Sequence, residues 1–411
     1  DFAAVRYLAG GSLDATFGAG GKATVSFGTG EDRALAADLQ PDGKVVIAGY
    51  ATVGGKRQLA LTRLNENGTL DAAFGAAGLV TASLGSSEAR ATAVAVQADG
   101  KILVAGFAII GAKPFVALAR YLGSGSPDPS FGAGGVVTSF APIADVALAM
   151  TLLPNGKIVI VGNSNSGGHS DMLAARFLPD GSIDLSFGKN GVITAGNPGQ
   201  SEGVNAVAVQ PDGSLVLGVL VSNLVEPFSQ TDFAAIRLLA GPPAVAATPD
   251  PLGFGNQELG TTSASAALAI SNPGDGTLSL GAMTIGGAAA SDFTVFASNC
   301  GATLAIAASC TVQLRFSPSA TGTRSATFSI PNDSPGGTLV IALQGTGVDT
   351  TPPNTTIDSG PVGTVATDAA TITFSASEPG ASFECALDAD GYSACTSPVN
   401  LSGLAQGPHT F

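Results

Sequence analysis

The chain has 411 residues, 45% of them hydrophobic, with 17 Lys and Arg against 31 Asp and Glu and a formal net charge of -14. That length and apolar content suit a chain of several packed domains and exclude a disordered polymer. The acidic balance, with no basic run anywhere, excludes nucleic acid and anionic lipid as partners, because phosphate recognition depends on clustered cations.

With 56 Gly and 24 Pro, abundant Val, Thr, Ser and Ala, and no extended helical periodicity, the composition predicts an all-β chain of short strands joined by tight turns. The longest apolar runs are too short to cross a bilayer. The sequence begins at Asp1 and ends at Phe411 in what reads as a strand. Both ends are therefore expected to be cut, which leaves room outside for a signal peptide or membrane anchor.

From its first residues the chain repeats itself. "GSLDATFGAGG" (11–21) returns as "GTLDAAFGAAG" (68–78), "GSPDPSFGAGG" (125–135) and "GSIDLSFGKNG" (181–191). Phe17, Phe74, Phe131 and Phe187 are spaced by 57, 57 and 56 residues, and the turns "PDGK", "ADGK", "PNGK" and "PDGS" around Gly43, Gly100, Gly156 and Gly213 keep nearly the same period. Periods of this size mark an array of supersecondary units, and propeller blades run to about 40 to 50 residues.

Within the second unit four strands are predicted: "LALTRL" (59–64), "GLVTASL" (78–84), "ATAVAVQ" (91–97) and "KILVAGFA" (101–108). The Asp-Gly or Asn-Gly turn before the last is a strong hairpin signal, since both central residues take positive φ. Inner strands such as "KILVAG" are apolar on both faces, as sheets flanked by neighbours on either side require. The expectation is a β-propeller with four-stranded blades.

Each unit also places an Arg eight residues before the motif Asp: Arg6 and Asp14, Arg63 and Asp71, Arg120 and Asp128, Arg176 and Asp184. The Arg shares its strand with apolar neighbours and needs a partner, which predicts an Arg–Asp pair within or between blades. Phe17, Phe74, Phe131 and Phe187 are expected as core plugs, with the glycines serving turn geometry. The alternative for Asp14, Asp71, Asp128 and Asp184 is calcium, because "NENGTLD" (65–71) spaces oxygen ligands in the manner of a calcium loop; it lacks the closing bidentate Glu. Other than that calcium alternative, no cofactor is expected.

A fifth copy of the Arg strand, "DFAAIRLL" (232–239), nearly duplicates "DFAAVRYL" (1–8), but its Asp is missing and the chain runs into "AGPPAV". Seventeen strands are predicted in this region, four blades plus one strand, and the expected reading is a fragment of a larger propeller; the alternative is a spare strand that latches the ring.

The pattern "LNENGTLDAAFGAAG...AVAVQADGKILVAG" resembles the bacterial delta-60 repeat family over residues 1 to 240. The resemblance implies a β-propeller in a secreted or surface protein and no particular activity. Departures are Pro127 and Pro129 in the third motif, and Leu153 where Gln40, Gln97 and Gln210 stand in the other units.

"AGPPAVAATPDPL" (240–252) reads as a Pro/Ala linker. Beyond it, residues 241–348 alternate apolar and polar positions between turns, the pattern of a β-sandwich. "LGFGNQELGTTS", "ISNPGDGTL", "CTVQLRFSPSATGTRSATFSI" and "LQGTGV" resemble the choice-of-anchor D group of immunoglobulin-like domains, related to the Hydin-type sandwich. After a joint at "TPPN" (351–354), residues 349–411 resemble a bacterial immunoglobulin-like module through "FSASEPGASFECALD" and "CTSPVNLSGLAQGPHTF", expected to lack its last strand.

All four cysteines fall in these modules, as Cys300 with Cys310 and Cys385 with Cys395. A ten-residue spacing in strand-rich sequence predicts two local disulfides, with zinc as the alternative, and disulfides imply an oxidising compartment.

Catalytic raw material is scarce. The two histidines are His169, in the loop "SNSGGHSD", and His409; there is no GxSxG elbow, no P-loop and no GxGxxG opening a helix. The blades lack the individual polar insertions of a catalytic propeller: the longest, "SNLVEPFSQTD" (222–232), has only Glu226 and Asp232 as acids. The expected function is therefore a non-enzymatic, secreted or cell-surface modular protein of bacterial type. In this reading the propeller is a binding or adhesion platform for an extracellular protein or glycan, and the immunoglobulin-like modules are spacers. Specificity would lie in the loops that differ between blades, 51–58, 109–114, 163–171 and 222–232. The alternatives are a purely structural stalk or surface-layer component, and a propeller hydrolase or lyase acting on extracellular polysaccharide.

Overall fold

The computed structural model describes residues 1–84, 87–138, 145–166, 169–196, 200–223 and 231–411, with the backbone alone at 145, 165, 166, 169 and 223. The described chain is built from strands, with one short 3-10 turn at Ala290–Asp292.

Among the described residues, seventeen strands make the repeat array. β1 (Phe2–Val5) and β2 (Lys22–Val25) form a ribbon, and β3 (Asp32–Leu39), β4 (Val45–Val53), β5 (Lys56–Leu64) and β6 (Leu79–Ala82) form the first complete antiparallel sheet. Two further four-stranded sheets follow: β7 (Ala89–Val96) to β10 (Val136–Val137), through β8 (Ile102–Ile110) and β9 (Lys113–Tyr121), then β11 (Asp145–Leu152), β12 (Ile158–Ser166), β13 (His169–Phe177) and β14 (Val192–Ala195). The array ends in a three-stranded sheet of β15 (Gln200–Val209), β16 (Leu215–Asn223) and β17 (Thr231–Leu238).

The partition differs from four blades plus one strand. β5 and β6 belong with β3 and β4, whereas β7 and β8 open the next sheet, so the boundary between sheets falls inside the sequence unit. The reason lies in the connections. The Gly54–Gly55 turn folds β4 directly back onto β5, while the chain between β6 and β7 crosses to the neighbouring sheet.

Successive sheets stack face to face. β7 packs across β3, β4 and β5, β11 across β7, β8 and β9, and β15 across β11, β12 and β13. Val46, Ala48, Leu59 and Leu61 of one sheet thus share a core with Ile102, Val104 and Ala117 of the next. This is why the second strand of each sheet is apolar on both faces. The first strand of each sheet carries a bulge at an equivalent place, between Ala34 and Ala36, Ala91 and Ala93, Ala147 and Ala149, and Val204 and Ala206. A bulge adds local twist to its strand.

The second unit is a sandwich. Its strands, β18 (Ala246–Thr248), β19 (Leu252–Glu258), β20 (Ala266–Ser271), β21 (Leu278–Ser279), β22 (Thr284–Gly286), β23 (Phe293–Ser298), β24 (Thr303–Leu304), β25 (Ser309–Phe316), β26 (Gly322–Ile330) and β27 (Leu339–Val348), form sheets ordered β18-β20-β25-β23 and β19-β27-β26-β22, with β21 paired to β24. Leu268, Ile270, Val312, Leu314 and Phe316 meet Phe328, Ile330, Ile341 and Leu343 between the two sheets. Residues 240–252 are not a free linker: β18 lies in this stretch and pairs with β20, and Leu252 is buried in the core.

The third module is smaller. β28 (Thr355–Ser359), β29 (Ala370–Ala376) and β32 (Val399–Leu401) form one sheet, and β30 (Phe383–Cys385) pairs with β31 (Ser393–Cys395). Before it, Glu258 accepts hydrogen bonds from the backbone N–H and hydroxyl of Thr350, which fastens the joint to the sandwich.

Candidate functional site

The repeated motif lies at one edge of the stacked sheets, where the first and second strands turn. Arg Nε donates to the motif Asp at 2.8 Å in Arg6–Asp14, 2.9 Å in Arg63–Asp71, 2.7 Å in Arg120–Asp128 and 2.8 Å in Arg176–Asp184. Each guanidinium also lies over its own motif ring, 4.8 Å from the Phe17 centroid, 4.7 Å from Phe74, 4.5 Å from Phe131 and 4.7 Å from Phe187. Such cation–π contacts strengthen as water is excluded, and Phe74 and Phe131 are fully buried.

A third partner comes from the hairpin turn. Lys44 Nζ stands 3.0 Å from Asp71, Lys101 3.5 Å from Asp128 and Lys157 3.0 Å from Asp184. The fourth turn carries Ser214 instead of Lys, and no motif Asp follows it. Hydroxyls complete the shell: Thr16, Ser130 and Ser186 donate to Asp14, Asp128 and Asp184 at 2.6, 2.7 and 2.6 Å. For Asp128, burial alone would raise the pKa, but the hydrogen bonds from Ser130 and the Arg120 charge outweigh it and hold the carboxyl at about 2. Asp184 is held at about 2 against its burial by Ser186, Lys157 and Arg176.

The same groups tie one repeat to the next. Arg6, Arg63 and Arg120 donate through Nη1 to the backbone carbonyls of Glu66, Gly123 and Pro179 in the following repeat. Gly18, Gly75 and Gly132, after the motif Phe, donate their N–H groups to the carbonyls of Asn67, Ser124 and Asp180. Gly68, at φ 80, packs so closely on Phe17 and the Gly18 nitrogen that a Cβ there would stand 2.6 Å from that nitrogen. Glycine is required at such a place on both counts.

The last link is closed from another domain. Arg176 reaches Asp275 Oδ2 at 2.9 Å through Nη2, and Lys157 reaches Asp275 Oδ1 at 2.8 Å. Asn155 donates to Asp275 Oδ1 at 2.8 Å and to the carbonyl of Gly274. The sandwich loop that holds "NPGDG" thus takes the place that the next repeat's turn takes elsewhere in the array. No sequence period points to Asp275.

The opposite edge carries the variable turns, each joining the second and third strands of a sheet. The turns within 51–58 and 109–114 are fully described; of 163–171, residues 167 and 168 lie outside the described residues, as do 224–230 of 222–232, including Glu226. A polar cluster of the first two sheets stands at this edge. Tyr50 donates its hydroxyl to Glu31 at 3.0 Å, Arg57 pairs with Glu31 at 3.0 Å and with Glu88 at 3.7 Å, and Arg90 pairs with Glu88. Arg57 and Arg90 lie 5.0 and 4.8 Å from the Tyr50 ring centroid. The hydrogen bond from Tyr50, then that from Arg57, holds Glu31 below the usual carboxylate range. The sequence signal for this cluster is "EDR" (31–33) and "EAR" (88–90), absent from the later repeats.

Cys300–Cys310 and Cys385–Cys395 are both disulfides. Among the described residues no group of three or more His, Cys, Asp or Glu stands together as a metal site, and no helix is long and apolar enough to cross a membrane. His409 pairs with Asp388 at 2.8 Å beside an open cleft of about 1030 Å³ in the third module, lined by Ile357, Ile372, Leu404 and Phe411.

A family described as "Domain of unknown function (DUF5122) beta-propeller" matches residues 40–74, 97–131 and 153–187. The matched segments each run from a hairpin turn to the motif Phe and mark a propeller-type repeat domain. No curated protein matches the chain. Among solved structures, a protein of unknown function from Porphyromonas gingivalis W83 is 15% identical with a TM-score of 0.23, over 48% of this chain and 94% of that one. The ASH/PapD-like domain 7 of human CEP192 is 17% identical with a TM-score of 0.21, over 26% and 87%. The secreted serine protease VesC from Vibrio cholerae is 12% identical with a TM-score of 0.22, over 91% and 87%. None of these likenesses bears on what the chain does.

Proposed function

We propose that the chain is a non-enzymatic, secreted or surface-displayed modular protein whose propeller presents a recognition edge, with the two sandwich-type modules as spacers. The observation that carries this reading is the contrast between the two edges of the sheets. At one, each motif Asp is taken up by Arg, most also by Lys, and by hydroxyl or backbone donors; a carboxylate pinned in its ionised form has no proton to give as a general acid. At the other, the frame is constant and the turns change from sheet to sheet, which is where specificity is carried on a rigid scaffold. The ligand class this suits is an extracellular protein or glycan. Two disulfides support an oxidising compartment.

Binding of the full chain to an array of glycans and extracellular matrix proteins tests the reading, with calcium and with chelator in parallel. Saturable binding to one class under both conditions is the expected result. Turnover of a polysaccharide that is abolished by Glu31→Gln or Glu88→Gln would replace it with an enzyme.

A second reading, a structural stalk, is favoured by the junction through Asp275 and the joint through Glu258, which fasten module to module. Silence on the array would move the weight to it.

A further inference from the structure

Residues 241–411 hold two cations, Arg315 and Arg324, against twelve Asp and Glu. Arg324 follows the habit of the propeller arginines, with its Nε 2.6 Å from the buried Asp292. Arg315 does not. It stands half-buried in β25, its Nε is shut off from solvent without an acceptor, and no carboxylate among the described residues pairs with it. A cation drawn partly out of water is costly until an anion meets it. In so acidic a surrounding, its lack of a partner marks the place.

The charge is carried to an edge. Thr294 of β23 stands opposite Arg315, and a bulge between Val295 and Ala297 leaves Phe296 out of the ladder. The guanidinium reaches across β23 to lie over the Phe296 ring, 3.5 Å from its centroid, a span that matches the roughly 4.8 Å between neighbouring strands. β23 is the last strand of the sheet β18-β20-β25-β23, and no strand lies on its outer side among the described residues. Of its six residues only Phe293 is buried; Val295 and Phe296 are 46% and 55% exposed. β18 and β22, which also end their sheets, have three residues each, the short form in which free edges are usually kept. The Cys300–Cys310 disulfide ties the chain just past β23 to β25, so the longer edge is held in place.

We propose that the free edge of β23 takes an extended peptide segment of another protein as an added strand, with a single Glu or Asp of that segment meeting Arg315 over Phe296. In strand addition the main chain supplies affinity and alternate side chains supply specificity. Here the side chains called for are a carboxylate for the guanidinium, a charge-assisted contact, and an apolar neighbour for Phe296 and Val295. The acids that surround Arg315 in these modules repel a polyacidic segment and select one with a lone carboxylate. The sandwich is then a docking element as well as a spacer. Its edge lies in a different domain from the variable turns of the propeller, so it stands or falls separately from recognition there.

The test titrates the full chain into fluorescein-labelled eight-residue peptides of alternating Thr and Val, with one Glu placed at each position in turn and a Gln counterpart of each. The expected result is saturable binding of at least one Glu peptide, at least tenfold weaker for its Gln counterpart and at least tenfold weaker in R315Q. The Gln counterpart reads the same contact on the unaltered protein, so the result does not hang on how R315Q folds. N-methylation of one alternate set of amides in the bound peptide should abolish binding, and N-methylation of the other set should leave it, since only one side of an added strand faces β23. No saturable binding in the whole series would overturn the proposal, as would equal binding of Glu and Gln peptides or equal effects of the two methylated sets. Sedimentation that showed the unaltered chain as a dimer, dissolved by R315Q, would overturn it too, because the edge would then belong to a second copy.

Discussion

Arg176 and Asp275 belong to different domains, and Nη2 of the first stands 2.9 Å from Oδ2 of the second. In the three preceding repeats the corresponding guanidinium is satisfied by a backbone carbonyl of the next repeat. At the last of these motifs a carboxylate from the sandwich does that work, so the sandwich supplies the link that a following repeat supplies elsewhere.

Removing that carboxylate should uncouple the domains. Asp275→Ala leaves Arg176 and Lys157 with Asp184 as their remaining anion, so the loss is smaller than for an orphaned buried pair, about 1 to 3 kcal/mol. Calorimetry on the full chain should show the propeller transition moving down while that of the sandwich stays. An unchanged single transition would mean that the junction carries no coupling.

The motif acids should differ in cost according to burial. Asp128→Ala strands Arg120, whose side chain is 7% exposed, and should cost about 3 to 5 kcal/mol. Asp14→Ala concerns an Arg6 whose side chain is 36% exposed and should cost far less, because solvent screens the pair. Denaturant unfolding of the two variants checks the contrast; equal costs would contradict a frame built on buried pairing.

Acid should dismantle the array within a definite window. Asp128 and Asp184 are depressed to about 2 from an ordinary value of 3.8. Their contribution is therefore fully present above about pH 4 and is lost as pH falls through about 2. Circular dichroism against pH should show the propeller intact at pH 4.5 and melting as pH falls through that window. The third module should respond in the opposite sense: the carbonyl of Ala405, then Asp388, raises the pKa of His409. Its contribution is full below about pH 6.5 and fades as pH rises through the raised value, to be seen as faster hydrogen exchange near Thr410 in alkaline buffer.

Reducing agent should act on the modules and spare the propeller, which has no cysteine. In the chain-entropy view, opening a loop of this length removes about 2 to 3 kcal/mol. The transition of the sandwich should move down and that of the propeller should not.

The fold class was legible because period is a property of sequence: Phe and Gly recur where each sheet needs a plug and a left-handed turn. The eight-residue spacing led to Arg and Asp together, but not to Lys44, Lys101 and Lys157, which lie one hairpin away from the acids they meet. Asp275 was invisible because it belongs to no repeat and meets Arg176 only through the docking of two domains. The Pro/Ala content of 240–252 suggested a linker and concealed Leu252, an apolar residue with a core to enter. Arg57 falls in the variable loop 51–58, but its partners Glu31, Tyr50 and Glu88 carry no periodic signal, since "EDR" and "EAR" occur in two repeats only.

The central claim is that the repeated acids are frame and that recognition belongs to the opposite edge. Its most direct test is the array of glycans and matrix proteins, run on three full-length chains: the unaltered protein, Asp71→Asn, and a chain whose turns at 53–56 and 110–113 are both replaced by a plain Asn-Gly hairpin. The expected result is saturable binding that survives chelator and Asp71→Asn and is lost with the turns. Binding that needs calcium and disappears in Asp71→Asn, while the turn-replaced chain still binds, would contradict the claim and make the motif acids the site.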